Sequence, residues 1–340
     1  MADDDLTGTS RTTEGASAEP RRRRWWPAKR WKQAAAVLAI VVGLVPLGGL
    51  WLSMRPVVAA GYQTKVTTGG TLEARYLATG PHPVIGRTVG QFQSFSPYRL
   101  WFPTDLPSSA TLPVVLVANG TGVKAEKYAA WFERLASWGF LVVGTDDEYS
   151  WSGLSQAASI RLLQSIQAGT TPQGWEDNPL KGRIDLTRVG LAGHSQGGVG
   201  VFSTLADKNV TGVTFKAAYA ASPTNLHLAH NLGWDYTAER VTVPTLLLSS
   251  TGQGDENLVV SGAQLKEIYD QIPATTPKVM ARRTHADHGQ MLTAGDGYMT
   301  AWFLWHLTGE EQARSAFVPP DGELLHNRLY QDQASTITQP

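Results

Sequence analysis

The chain has 340 residues, 42% of them hydrophobic, and its 29 basic and 29 acidic side chains cancel to a formal charge of zero. That balance supplies no field to draw a nucleic-acid partner. Cysteine is absent, which excludes disulfides, thiolate metal sites and a cysteine nucleophile.

Residues 1–33 carry too little apolar surface to offset chain entropy and read as a disordered basic tail on the cytoplasmic side. The tail ends in seven basic residues between Arg21 and Lys32, interleaved with Trp25, Trp26 and Trp31. An uncharged run of 19 residues, Ala34–Leu52, follows. As a helix it would approach the ~30 Å hydrocarbon core of a bilayer. Basic residues ahead of it place that end in the cytoplasm, and the tryptophans suit the interface. The expectation is therefore a transmembrane helix over 34–54 that attaches the protein to a membrane and places everything beyond it outside the cytoplasm. The alternative is a signal peptide cleaved near Ala60, after the small residues Val58-Ala59-Ala60, which would release the protein.

From residue 61 to 340 the pattern predicts one domain of alternating strands and helices. Leu112–Ala118 is a continuous apolar run, as in a buried parallel strand. A helix spans Lys124–Trp138 and stops at Gly139. Phe140–Gly144 is a strand and Leu154–Ala168 a helix. Further strands fall at Val189–Ala192, Lys216–Ala221, Val243–Ser249 and Lys278–Arg282. Helices fill Gln196–Ala206, Leu258–Gln271 and Gln290–Leu307. Such alternation implies a mostly parallel central sheet flanked by helices, with ligands at the carboxyl ends of its strands.

One of those ends carries Gly193-His194-Ser195-Gln196-Gly197, between the strand VGLA and a helix. This is the nucleophile elbow, Gly-x-Ser-x-Gly. The turn is so tight that side chains two residues either side of the serine would collide, so glycine stands there, and the serine is held in a strained conformation at a helix N-terminus. A phosphate-binding loop would need a Gly-Lys-Ser/Thr that does not follow.

The stretch from Arg183 to Gly198, with Phe215–Ala218, Val243–Leu248 and the helix-to-strand join Ala136–Val143, resembles the polyesterase–lipase–cutinase and dienelactone-hydrolase branch of the α/β-hydrolases. The resemblance covers roughly residues 90–307. It implies an α/β-hydrolase fold, a triad in the order Ser, Asp, His, hydrolysis of carboxylic esters, and no cofactor. The oxyanion loop departs from the family: Asn119-Gly120-Thr121-Gly122 lacks the aromatic or hydrophobic residue often found there. The C-terminal disulfide of many cutinase-like enzymes has no counterpart.

A serine hydroxyl needs a base, and the base an orienting acid. With Ser195 as nucleophile, Asp255 is the acid expected after the strand ending at Ser249, with Glu256 as the alternative. Both would otherwise serve to cap the next helix. His288, just ahead of Gly289 and a helix, is the expected base, with His285 as the alternative. A metal centre built on His285, Asp287 and His288 would need a further histidine where Arg283 stands, so no metal is expected. His194 is expected to pack or to hydrogen-bond. The oxyanion donors are the backbone N–H groups of Gln196 and, by alignment, Thr121. Trp151 is the candidate wall of the substrate site, or else an anchor of its own loop. The expected function is a serine hydrolase acting on small or polymeric esters. A non-catalytic surface-binding domain on the same fold, an amidase and a thioesterase remain alternatives.

Overall fold

A computed structural model of the chain describes residues 56–338. Nine strands form one sheet: β1 (Val84–Val89), β2 (Tyr98–Pro103), β3 (Leu112–Ala118), β4 (Leu141–Thr145), β5 (Ile184–His194), β6 (Phe215–Ala221), β7 (Thr245–Ser250), β8 (Lys278–Arg283) and β9 (Tyr330–Ser335). Their order across the sheet is β1-β2-β4-β3-β5-β6-β7-β8-β9. From β4 to β8 every neighbouring pair is parallel, whereas β1, β2 and β9 run antiparallel at the two edges.

The interior strands are parallel because each returns through a crossover, here mostly helical, and both their faces are covered. All seven residues of β3 and all five of β4 are buried. The principal helices are α1 (Thr71–Leu77), α2 (Ala129–Ala136), α3 (Leu154–Ala168), α4 (Gln196–Ala206), α5 (Leu226–Asn231), α6 (Gly262–Gln271) and α7 (Asp296–Phe303). Phe132, Tyr298, Trp302 and Phe303 pack in one large apolar cluster, and Leu162, Leu163 and Ile166 of α3 belong to another. A third cluster beneath α6 gathers Leu265, Ile268, Phe202 and Met280. Strand β5, which delivers Ser195, lies between β3 and β6 in the middle of the sheet, paired on both sides.

The structure corrects the expected membrane helix. The run 34–52 lies outside the described residues, and no described helix is long and apolar enough to cross a membrane. The longest, α3, has 15 residues, or about 22 Å of helix against the ~30 Å a span requires. Among the described residues the fold is thus an α/β-hydrolase sheet flanked by helices, with no transmembrane element. The membrane as a partner through residues 34–52, and the single-pass placement of the catalytic domain outside the cytoplasm, are corrected in the same way: no spanning helix supports them among the described residues. The packed fold also reaches ahead of residue 61: Val58 is buried, and the Val57 and Val58 amides donate to the Lys127 carbonyl.

Candidate active site

The carboxyl ends of β5, β6, β7 and β8 lie side by side, and their exits are stitched together by the backbone. Ser195 N–H donates to Ala221 O at 2.9 Å, Ser222 N–H to Leu248 O at 2.6 Å, and Thr251 N–H to Arg283 O at 2.9 Å. Each of those exits carries a polar side chain of the site.

Ser195 has φ 59° and ψ −122°, a conformation that a side chain beyond glycine adopts only under constraint. Two backbone contacts supply the constraint. A Cβ on Gly193 would strike the Gly197 carbonyl, and one on Gly197 would strike the Ala118 carbonyl. Neither glycine can be anything larger without opening the turn between β5 and α4. The half-exposed serine therefore sits at the first turn of α4, where unsatisfied N–H groups favour developing negative charge.

Asp255 and His288 meet at 2.7 Å, from the carboxylate Oδ1 to the imidazole Nδ1. Asp255 is fully buried and His288 about one-fifth exposed. Burial by itself would raise the Asp255 carboxyl. Hydrogen bonds from His288, Ser222 and Ser250 outweigh it and hold the group below the usual carboxylate value. The second oxygen, Oδ2, accepts from Ser222 Oγ at 2.6 Å, Ser250 N at 2.7 Å and Ser250 Oγ at 2.6 Å. The acid is thereby fixed with its free edge toward the histidine.

The two alternatives are engaged elsewhere. Glu256 is paired with Arg282. His285 is exposed, adopts φ 55°, and lines a cavity of about 490 Å³ with Lys65, Arg283 and Gln290. The loops of Asp255 and His288 are joined by Asp287, whose Oδ1 accepts from Gly254 N and from His288 N, both at 2.7 Å. His194, buried beside the nucleophile, places its Nε2 2.8 Å from the His288 carbonyl. The sequence reading gave Ser222, Ser250 and Asp287 none of these roles and named no partner for His194. The sequence signals were slight: two serines closing the apolar strand β7, and the capping pattern Asp287-x-x-Gln290.

The loop after β3 is tied on every side of Thr121. Asn119 Nδ2 donates to Thr145 O at 2.6 Å and Asp147 O at 2.7 Å, and the Asn119 backbone carbonyl accepts from Ser150 Oγ at 2.8 Å. Gly120 N–H donates to Tyr128 Oη at 3.1 Å and Gly122 N–H to Glu148 O at 2.9 Å. Among the described residues the exposed Thr121 amide has no acceptor. Trp151 lies in the short turn Ser150–Ser152 that packs against α4. It lines a groove of about 500 Å³ with Phe202, Ala206, Asp207 and Tyr236, along the C-terminal half of α4.

A strained serine at the centre of a mostly parallel sheet, with an acid–histidine pair on the neighbouring exits, defines an α/β-hydrolase of the serine-hydrolase class. Comparison narrows the class. The chain belongs to the PET hydrolase-like family, whose family model matches residues 63–330. It is 25% identical over 260 residues to a bis(hydroxyethyl) terephthalate hydrolase of Streptomyces coelicolor, covering 76% of each chain. Cutinase est2 of Thermobifida alba is 28% identical over 227 residues, covering 65% of this chain and 66% of that one. Cutinase 1 of Thermobifida cellulosilytica is 28% identical over 225 residues, covering 65% and 76%. The chain is a carboxylic ester hydrolase of the cutinase-like type, with a serine-hydrolase mechanism.

Proposed function

We propose that residues 61–340 form the catalytic unit and that Ser195, His288 and Asp255 are its triad. The observation that carries the reading is the 2.7 Å contact between Asp255 Oδ1 and His288 Nδ1, on strand exits beside a serine at positive φ. His288 Nε2 takes the Ser195 proton as Oγ attacks the acyl carbon, and Asp255 holds the ring in the tautomer that leaves Nε2 free. The N–H groups of Gln196 and Thr121 stabilise the oxyanion of the tetrahedral intermediate. Its collapse expels the alcohol, which leaves with the proton from His288. Water, deprotonated by the same histidine, then releases the acid from the acyl-serine. Ser195 Oγ makes no hydrogen bond among the described residues, and its bond to the base forms as substrate enters.

The substrate we assign is an ester with a substantial apolar acyl part. The names of the relatives support this, and so do Tyr149, Leu154, Leu232 and Leu258, exposed large side chains on segments that follow β4, β6 and β7. Ser195→Ala should lower turnover of a soluble chromogenic ester by at least ~10³-fold and abolish labelling by an organophosphonate. His288→Ala should do likewise to turnover, and His285→Ala should leave it near the parent value. An alanine variant at 195 that keeps its turnover would remove serine catalysis from consideration.

A further inference from the structure

We propose that His194 is a positioning residue for the general base: its imidazole grips the backbone of His288 and so fixes how far the base stands from the nucleophile. The inference rests on the reading of His288 as the base.

Besides the Met291 N–H that its carbonyl accepts within its own turn, His288 is held at three points. Its Nδ1 meets Asp255, its amide donates to Asp287, and its carbonyl faces His194 Nε2 at 2.8 Å. The first two anchors come from the acid loop and from the base loop itself. The third comes from the elbow. His194 is the last residue of β5, its position is set by the pairing opposite Ala221, and Ser195 is the next residue along the chain. A hydrogen bond from His194 to His288 therefore spans from nucleophile to base with no flexible segment between.

The chemistry of the contact defines the tautomer. A carbonyl only accepts, so Nε2 of His194 carries the proton and donates. Its ring lies 4.6 Å from the His288 ring, centroid to centroid, at 34°. Burial, with the nearby His288, pulls the His194 imidazole down to about 4. Above that pH it is a neutral donor with its Nε2 committed, and it does not compete for the serine proton. The motif Gly-x-Ser-x-Gly leaves the position before the serine free, so the turn itself does not explain a buried histidine there.

Space-filling alone would be met by phenylalanine, which keeps the ring and loses the donor. Glutamine places an amide N–H near the position of Nε2, and asparagine is too short to reach. In the full-length protein, with a soluble chromogenic ester, His194→Phe and His194→Asn should lose about 10- to 100-fold in kcat with KM within about twofold, and His194→Gln should recover to within about threefold. Thermal midpoints of the three should lie close to that of the parent. If His194→Phe does not fold, the glutamine–asparagine pair carries the test. Parent-like kcat in His194→Asn overturns the proposal, as does a folded His194→Gln that is no better than His194→Asn. A rise in KM with kcat unchanged overturns it too, because it would make His194 a substrate contact. His288→Ala measured alongside separates the two readings: an active His288→Ala refutes the base assignment whatever His194 does.

Discussion

Three donors converge on one oxygen of Asp255: the Ser222 hydroxyl and both the amide and hydroxyl of Ser250. Each bond favours the charged carboxylate, and together with His288 they overcome the burial that would neutralise it. The folded carboxyl thus titrates below its unfolded value of ~3.9. Its contribution to stability is complete above that value and is lost as the pH falls through the folded one. Ser222→Ala should cost about 1.5–3 kcal/mol at neutral pH, the usual loss of a hydrogen bond to a charged group. The gap between variant and parent should close as acidification carries the pH down through the folded value and both carboxyls become protonated. Denaturant titrations at the two pH values check this, and a gap that does not narrow would detach the bond from the ionised form. The turnover number should fall with KM unchanged, since the bond orients the base and touches no substrate. Chain order and loop position are what single out Asp255 and His288 in the sequence. They miss this clamp because a serine closing a strand looks the same whether it bonds a carboxylate or the nearest carbonyl.

The join between β5 and α4 is the element on which the site depends, and its two glycines do different work from others in the chain. Gly197 sits against the carbonyls of Ala118 and Asn119, at the end of β3. A methyl group there meets backbone on a central strand, which has nowhere to retreat. Gly90 has open space around its Cβ direction. Gly197→Ala should therefore cost at least about 3 kcal/mol, at the upper end for overpacking, and Gly90→Ala should stay within about 0.5 kcal/mol of the parent. Thermal unfolding of the pair compares them directly, and equal midpoints would show that the turn relaxes. Buried strands and the helices between them were legible from composition: β3, α3 and α4 begin and end where the apolar runs do. The edges were not. Strand β1 alternates irregularly around Gly86 and Arg87, and β9 reads YQDQAS, a polar run that pairs with β8 only because the chain end returns there. The helix expected over Gln290–Leu307 is broken at Gly295 and ends in a wider π turn, which periodicity alone does not register.

Across the whole fold, the segment ahead of β1 is locked to the far edge of the sheet by a buried ion pair. Glu73 of α1 and Arg283 at the end of β8 meet at 2.7 Å, both nearly inaccessible to water. Tyr330 Oη, Asn327 Nδ2 and Gly69 N donate to the same carboxylate, and the guanidinium also reaches the Thr67 carbonyl. A pair so buried adds little over an apolar replacement, but removing one partner strands the other charge. Glu73→Ala should therefore lose about 3–5 kcal/mol, most of it from an uncompensated Arg283. Salt should not close the gap, because a buried pair is poorly screened. Glu73→Gln removes the charge and keeps one acceptor oxygen, enough for Asn327 and Gly69 on one side or for Arg283 and Tyr330 on the other, so it should fall between the parent and Glu73→Ala. Arg283 lies five positions before His288 on the chain that forms the base loop. If the lock also holds that loop in place, Glu73→Ala should lower kcat in conditions where it is still fully folded. Unchanged kcat there, with the stability loss intact, would confine the lock to holding the fold together.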